Sequence, residues 1–227
     1  MLYIQDKYID KSKCKARRYT ELLVGDTLVL QPPHHFAGST GITATVQGLV
    51  PMSDEVRCAV EVFGHDGIHH VESSMLPTCH VCKRVCLSYD SVTGYAIDYE
   101  RTLLACYECC ARSDLDYMQT HDKVSFMYLT SPDSHVGDFK APNGMPFKRW
   151  YVSNWPGSLK IPCFSHVTSK GNGFGGSYPM HDAWFWLDMP NGTRSLWWMR
   201  VKGYMDCGTA RRIKPCGKDM LAIAAGL

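Results

Sequence analysis

Apolar and polar residues alternate in short runs along most of the chain, the pattern of half-buried strands. Ile42, Ala44 and Val46 alternate with Thr43, Thr45 and Gln47. Residues 27–30 follow a Val24-Gly25-Asp26 turn, and residues 56–63 and 68–71 flank Gly64-His65-Asp66-Gly67, a hairpin turn. Further on, residues 124–129 and 148–152 read as strands. The clearest hairpin joins 183–187 to 196–201 through Pro190-Asn191-Gly192. Helix is expected over 106–118 and in a short tail near 220–225, and the basic run 11–18 reads as a short helix or an arm. Residues 1–20 carry no apolar periodicity, and there is no internal repeat.

Among the 227 residues, 45% are hydrophobic and 20% charged, which excludes whole-chain disorder. No apolar run approaches membrane-spanning length, and the start lacks the flanks of a signal peptide, so an intracellular protein without a membrane is expected. The net charge of +2 is unevenly spread. Six Lys/Arg against two Asp in residues 1–20, and six Lys/Arg against Asp206 in residues 200–218, bracket an acidic middle. Basic ends suit nucleic-acid phosphates or an acidic protein surface, although two solvated faces read the same way. The candidate contacts are Lys13, Lys15, Arg17, Arg18, Lys83, Arg84, Arg112, Arg200, Lys202, Arg211, Arg212 and Lys214.

Six of the eleven cysteines fall between 79 and 110. An odd count without a secretion signal disfavours a disulfide framework and points to metal. Cys79 and Cys82 form one CxxC pair, and Cys106 and Cys109 form a second. Four thiolates in two such turns suit one tetrahedral, structural Zn²⁺. A redox CxxC would need a βαβ context, which is missing. Cys86 remains an alternative to Cys82, Cys110 an alternative to Cys109, and His80 is a further neighbour.

The turn at Val24-Gly25-Asp26, the run 41–46, Val60-Glu61-Val62-Phe63 and the segment 71–76 resemble SH3-like barrels of the Tudor and KOW type. That resemblance covers about a quarter of the chain and implies a scaffold that binds nucleic acid or peptide. A knuckle, a hairpin turned at Ser91-Val92-Thr93-Gly94 and a helix carrying two ligands form a treble clef. With Cys79, Cys82, Asp90, residues 103–106 and Cys109, this resembles HNH nucleases of the endonuclease VII type. Ser88-Tyr89-Asp90-Ser91 stands where that family has its general-base His, and Cys110 stands where it has Asn. The resemblance therefore implies the zinc scaffold and argues against hydrolysis. Residues 151–162, Asp182-Ala183-Trp184-Phe185, Gly203 and 211–214 are similar to a short domain of uncharacterised tailed-phage proteins.

The scattered histidines match no metal motif. The glycine-rich run 171–177 lacks the strand–loop–helix setting of a phosphate cradle. All six tryptophans lie between 150 and 198, and adjacent Trp197 and Trp198 must point to opposite faces of a strand. Some must be exposed or cover a second face.

The expected fold is mainly β with a small zinc-binding α+β module. It comprises a basic segment (1–20), an SH3-like barrel (21–77), a four-Cys zinc module (78–120), a Trp-rich β domain (121–214) and a tail (215–227). The expected function is non-enzymatic: a zinc-stabilised, phage-encoded binding protein acting on nucleic acid or a nucleic-acid machine. The alternatives are an HNH-derived metal-dependent hydrolase with a rewired site and a virion structural or assembly component.

Overall fold

Pairing between the alternating segments organises the chain into a mainly β structure with two α-helices among the described residues. The computed structural model describes residues 6–30, 42–52, 55–87, 95–96, 104–130, 138–154, 157–170, 179–189, 191–202 and 207–227. Two units result: residues 11–110 form one, and residues 1–10 with 111–227 form the other. No described helix is long and apolar enough to cross a membrane.

In the first unit, β1 (Ala16–Arg17) precedes a meander of β2 (Thr27–Leu30), β3 (Ile42–Pro51), β4 (Val56–Val62) and β5 (Ile68–Val71). These four strands form one antiparallel sheet in chain order. Alternation decides which residues face in: Leu28, Leu30, Ala44, Val46, Cys58, Val60, Val62 and Val71 are all buried in one cluster. Gly64 and Gly67 turn the β4–β5 hairpin at φ +82° and +86°, which side-chain-bearing residues rarely adopt. A 3₁₀ turn at Ser73–Met75 follows. The described ladders leave this sheet open between β5 and β2. Next come β6 (Val85–Cys86), β7 (Tyr95–Ala96) and β8 (Leu104–Ala105). β6 pairs with β1 and β7 pairs with β8. Helix α1 (Tyr107–Thr120) begins in this unit and continues into the second.

The second unit contains β9 (Lys123–Thr130), β10 (Asp138–Lys140), β11 (Pro146–Asn154), β12 (Ile161–Lys170), β13 (Pro179–Asp188), β14 (Arg194–Lys202) and β15 (Gly208–Ile213). Strands β11 to β15 form an antiparallel meander. β9 pairs with β15 on one side and with β11 on the other. The ladders therefore close into a six-stranded ring, with β10 paired to the opposite end of β11. Ring closure leaves no free edge within those six strands. Met127, Val152, Ile161, Cys163, Ala183, Phe185, Trp197 and Met199 are fully or almost fully buried and fill the inside.

The residues between them point outward and find a second cover. Phe147, Phe164 and Trp184 bury against α2 (Lys218–Ala224), with Trp198 and Ile213 packed alongside. The Trp184 indole donates to Asp219 at 2.6 Å and ties α2 to the sheet. Trp197 is buried and Trp198 half-buried, and no tryptophan is exposed among the described residues. The aromatic surplus is thus divided between two cores. Trp155, the Gly171–Ser177 run, the Ser91–Gly94 turn and the Ser88–Ser91 stretch lie outside the described residues.

Candidate metal centre

Cys79 starts a tight loop. Its N–H donates to the Arg84 carbonyl at 2.8 Å, and its carbonyl accepts from the Lys83 N–H at 2.9 Å. Closing so short a loop puts Lys83 at φ +61°, a left-handed conformation that costs an ordinary side chain about 1 kcal/mol or more. The turn also swings the Cys82 N–H to within 3.5 Å of the Cys79 sulfur. From the other side, the Cys106 N–H reaches the same sulfur at 3.3 Å. A bridge between Cys79 and Leu104, with a 2.7 Å bond from His80 N–H to the Leu104 carbonyl, brings the two cysteine pairs together.

Cys106 immediately precedes α1, and its carbonyl accepts from the Cys110 N–H at 3.0 Å, the first bond of that helix. Cys109 is one turn further on, so both sulfurs sit at the helix N-terminus, where the helix dipole favours negative charge. The sulfurs of Cys79, Cys82, Cys106 and Cys109 all lie within 4.8 Å of one another. Sulfurs about 2.3 Å from a tetrahedral zinc stand about 3.8 Å apart. Cys82 and Cys106 are separated by 3.8 Å. The donor set therefore fits one metal ion.

Among the described residues, Cys86, Cys110 and His80 stand outside the group of four converging sulfurs. Cys110 donates to the Ala105 carbonyl, S···O 3.8 Å, instead of joining the four. Cys86 is completely buried beside the group, in the same cluster as Ala105 and Ala16. Burial, with the neighbouring sulfurs, pushes its thiol pKa well up. His80 is exposed and outside the converging set. Within the set, a hydrogen bond from Cys109 to the Cys106 sulfur holds the Cys106 pKa down to about 5, against burial. The same contact pushes Cys109 upward, and burial raises Cys82 to about 11. Crowded thiols of this kind resist full ionisation on their own; a bound dication removes that resistance by deprotonating its ligands.

The basic residues separate into two groups. In the first unit, the β1–β6 ladder sets Ala16 against Cys86 and Arg17 against Val85. The Leu87 N–H extends the contact to the Lys15 carbonyl at 3.0 Å. The backbone of residues 15–17 thereby runs alongside residues 85–87, directly after the loop carrying exposed Lys83 and Arg84. Arg17 pairs with Asp26 at 3.1 Å, Arg18 with Glu21 at 3.9 Å and Arg84 with Glu108 at 3.7 Å.

In the second unit most guanidinium groups already have internal work. Arg112 pairs with Asp6 at 2.7 Å. Arg200 grips the buried Asp182 with two bonds of 2.7 and 2.9 Å. Arg212 donates to the carbonyls of Met118, Gln119 and His121 and stacks over Trp197. Lys202, Arg211 and Lys214 lie on or beside the last two strands. Asp6, Glu108 and Asp182 were not recognisable as partners of these cations from sequence, because a lone carboxylate carries no such signal until its cation is placed beside it.

No protein-family model, curated protein or solved structure matches this chain.

Proposed function

We propose that Cys79, Cys82, Cys106 and Cys109 hold one structural Zn²⁺ in a treble-clef arrangement, and that the basic strip organised around it binds nucleic acid. The observation that carries the reading is the β1–β6 ladder, which sets a basic segment beside the metal loop. Four sulfurs complete a tetrahedron and leave no position for substrate, the property of a structural site. The metal's work is to hold the loop and the start of α1 together, where the local core is little more than cysteine and alanine. The adjoining four-stranded sheet, with its 3₁₀ turn, supports an SH3-like scaffold for this surface. In this reading the protein is a binding module and not an enzyme.

Lys83 is the sharpest probe of the surface. It is exposed, and among the described residues its ammonium has no side-chain partner. Polarisation of labelled duplex and single-stranded DNA and RNA, measured over a salt series with Mg²⁺ present, tests the proposal. The expected result is salt-dependent binding without cleavage, with a log–log slope of about −0.9 per phosphate contact on duplex DNA. Lys83→Asn, which suits the left-handed backbone, and Arg84→Gln should each weaken binding and flatten the slope while one zinc per chain is retained. Absence of binding at low salt, or binding indifferent to both variants, overturns the nucleic-acid reading. Purified protein whose zinc content is unchanged by Cys106→Ser overturns the ligand set.

A further inference from the structure

A cleft of about 390 Å³ opens on the outer face of the six-stranded ring, within the second unit. It has no part in the metal centre or the basic strip described above. Its floor is laid down by strand register. Arg149 on β11 stands opposite Phe164 on β12, and Trp186 and Asp188 follow on β13 with Arg194 opposite Asp188 on β14. Phe139 on β10 stacks on Phe164 with ring centres 5.0 Å apart and forms one wall, and the 3₁₀ turn carrying Lys7 and Tyr8 forms another.

The charges are arranged and not merely numerous. Asp188 takes Lys7 on one carboxylate oxygen and Arg194 on the other. Its backbone N–H donates to the Tyr8 hydroxyl at 2.9 Å. One half-buried carboxylate thus fixes two cations at the rim, and Arg194 lies over the Trp186 ring, 5.0 Å from its centre. Arg149, the third cation, is exposed, and no side-chain hydrogen bond or ion pair engages it among the described residues. Among the lining side chains, three cations stand against one carboxylate over an aromatic floor. A cavity of this size, largely apolar with a few convergent polar groups, suits a small molecule. Arginine forks suit phosphate oxygens, and aromatic faces suit a flat ring.

We infer that this cleft binds an aromatic phosphomonoester of nucleoside-monophosphate size, its dianionic phosphate held by Arg149 and the Lys7–Arg194 pair and its ring lying against Phe139 beside the Arg194–Trp186 pair. Both halves of the ligand are needed. The phosphate alone forgoes the ring contact, and the nucleoside alone leaves Arg149 unpaired.

Isothermal titration of the full, zinc-loaded chain with adenosine 5′-monophosphate, adenosine and inorganic phosphate tests this. The nucleotide is expected to bind saturably, one per chain, with Kd at or below about 1 mM. Adenosine and inorganic phosphate should each bind at least about tenfold more weakly. Arg149→Gln, an exposed change with its thermal midpoint checked alongside, should weaken the nucleotide about tenfold, the size of a lost charge-assisted bond. Lys83→Asn should leave this binding unchanged, which separates it from the proposed nucleic-acid surface. Absence of saturable binding at about 5 mM nucleotide, equal binding of phosphate alone, or full binding by Arg149→Gln each overturns the inference.

Discussion

His181 sits on β13 beside Val201 of β14, almost fully buried, with the Trp150 ring 5.5 Å from its own. Burial lowers its pKa, and neighbouring Lys148 and His166 add to the effect. A histidine whose folded pKa lies below its unfolded value near 6.5 binds fewer protons folded than unfolded in the interval between the two. Stability therefore rises with pH through that interval and is lost as pH falls through it. His181→Gln should flatten the stability–pH curve below about 6.5, seen as a smaller change in urea midpoint between neutral and mildly acidic buffer. An unchanged slope would place the acid sensitivity elsewhere. Cys106 makes the complementary point at the same scale. Its low pKa comes from the Cys109 contact, a relationship created by one turn of helix and invisible in composition.

Helix α1 shows how an element depends on residues far away in the chain. Its last carbonyls have no partner within the helix, as at every helix C-terminus. Arg212 supplies them: one guanidinium nitrogen reaches Met118 at 2.7 Å, Gln119 at 3.0 Å and His121 at 3.3 Å. The backbone N–H of Arg212 also donates to Asp122 at 2.9 Å. A cation there opposes the helix dipole and satisfies several acceptors at once. Arg212→Ala should destabilise the second unit by about 2 kcal/mol, read as a lowered urea midpoint with unchanged slope. A loss below about 0.5 kcal/mol would mean that water replaces the guanidinium at no cost. The same strip was read from sequence as a phosphate contact, and a stretch of cations does look alike in both roles. What separates them is whether acceptors lie within reach once the strands pair.

At the scale of the whole molecule the two units have different supports. The second is a ring of ladders with an aromatic interior and an aromatic exterior covered by α2. In the first, the segment around the cysteines has a core of four buried residues, three of them cysteine. Removing the proposed zinc should therefore affect them unequally. Chelation should abolish hydrogen-exchange protection at residues 79–87 and 104–110, because the sulfurs lose their common partner. Amides of the six ring strands of the second unit should stay protected, and tryptophan emission should stay constant, since every tryptophan lies between 150 and 198. Loss of protection across both units together would show that the metal supports the entire chain. Protection unchanged everywhere would remove the structural role.

Alternation, turn residues and the CxxC spacing together were enough to read a mainly β protein, the hairpin at 64–67, the pairing of the strands on either side of Asn191-Gly192, the helix after Cys106 and the four converging cysteines. Each of these depends on contacts a few residues apart or on ligand chemistry that leaves a spacing in the sequence. The strand over 161–170 was not legible. Pro162 and the polar Ser165 and His166 break its pattern, although Cys163, Phe164 and Ser165 are buried between two neighbours. The strand over 208–213 read only as a basic stretch. Ring closure was likewise out of reach, because it rests on β9 pairing with two strands at once, each distant in sequence. Tertiary structure alone decided which cations are engaged and which are available, where the outward tryptophans find cover, and that Arg149, Lys7 and Arg194 share one cleft. A side chain's charge is local information, but its partners are set by register, and register is a property of the folded sheet.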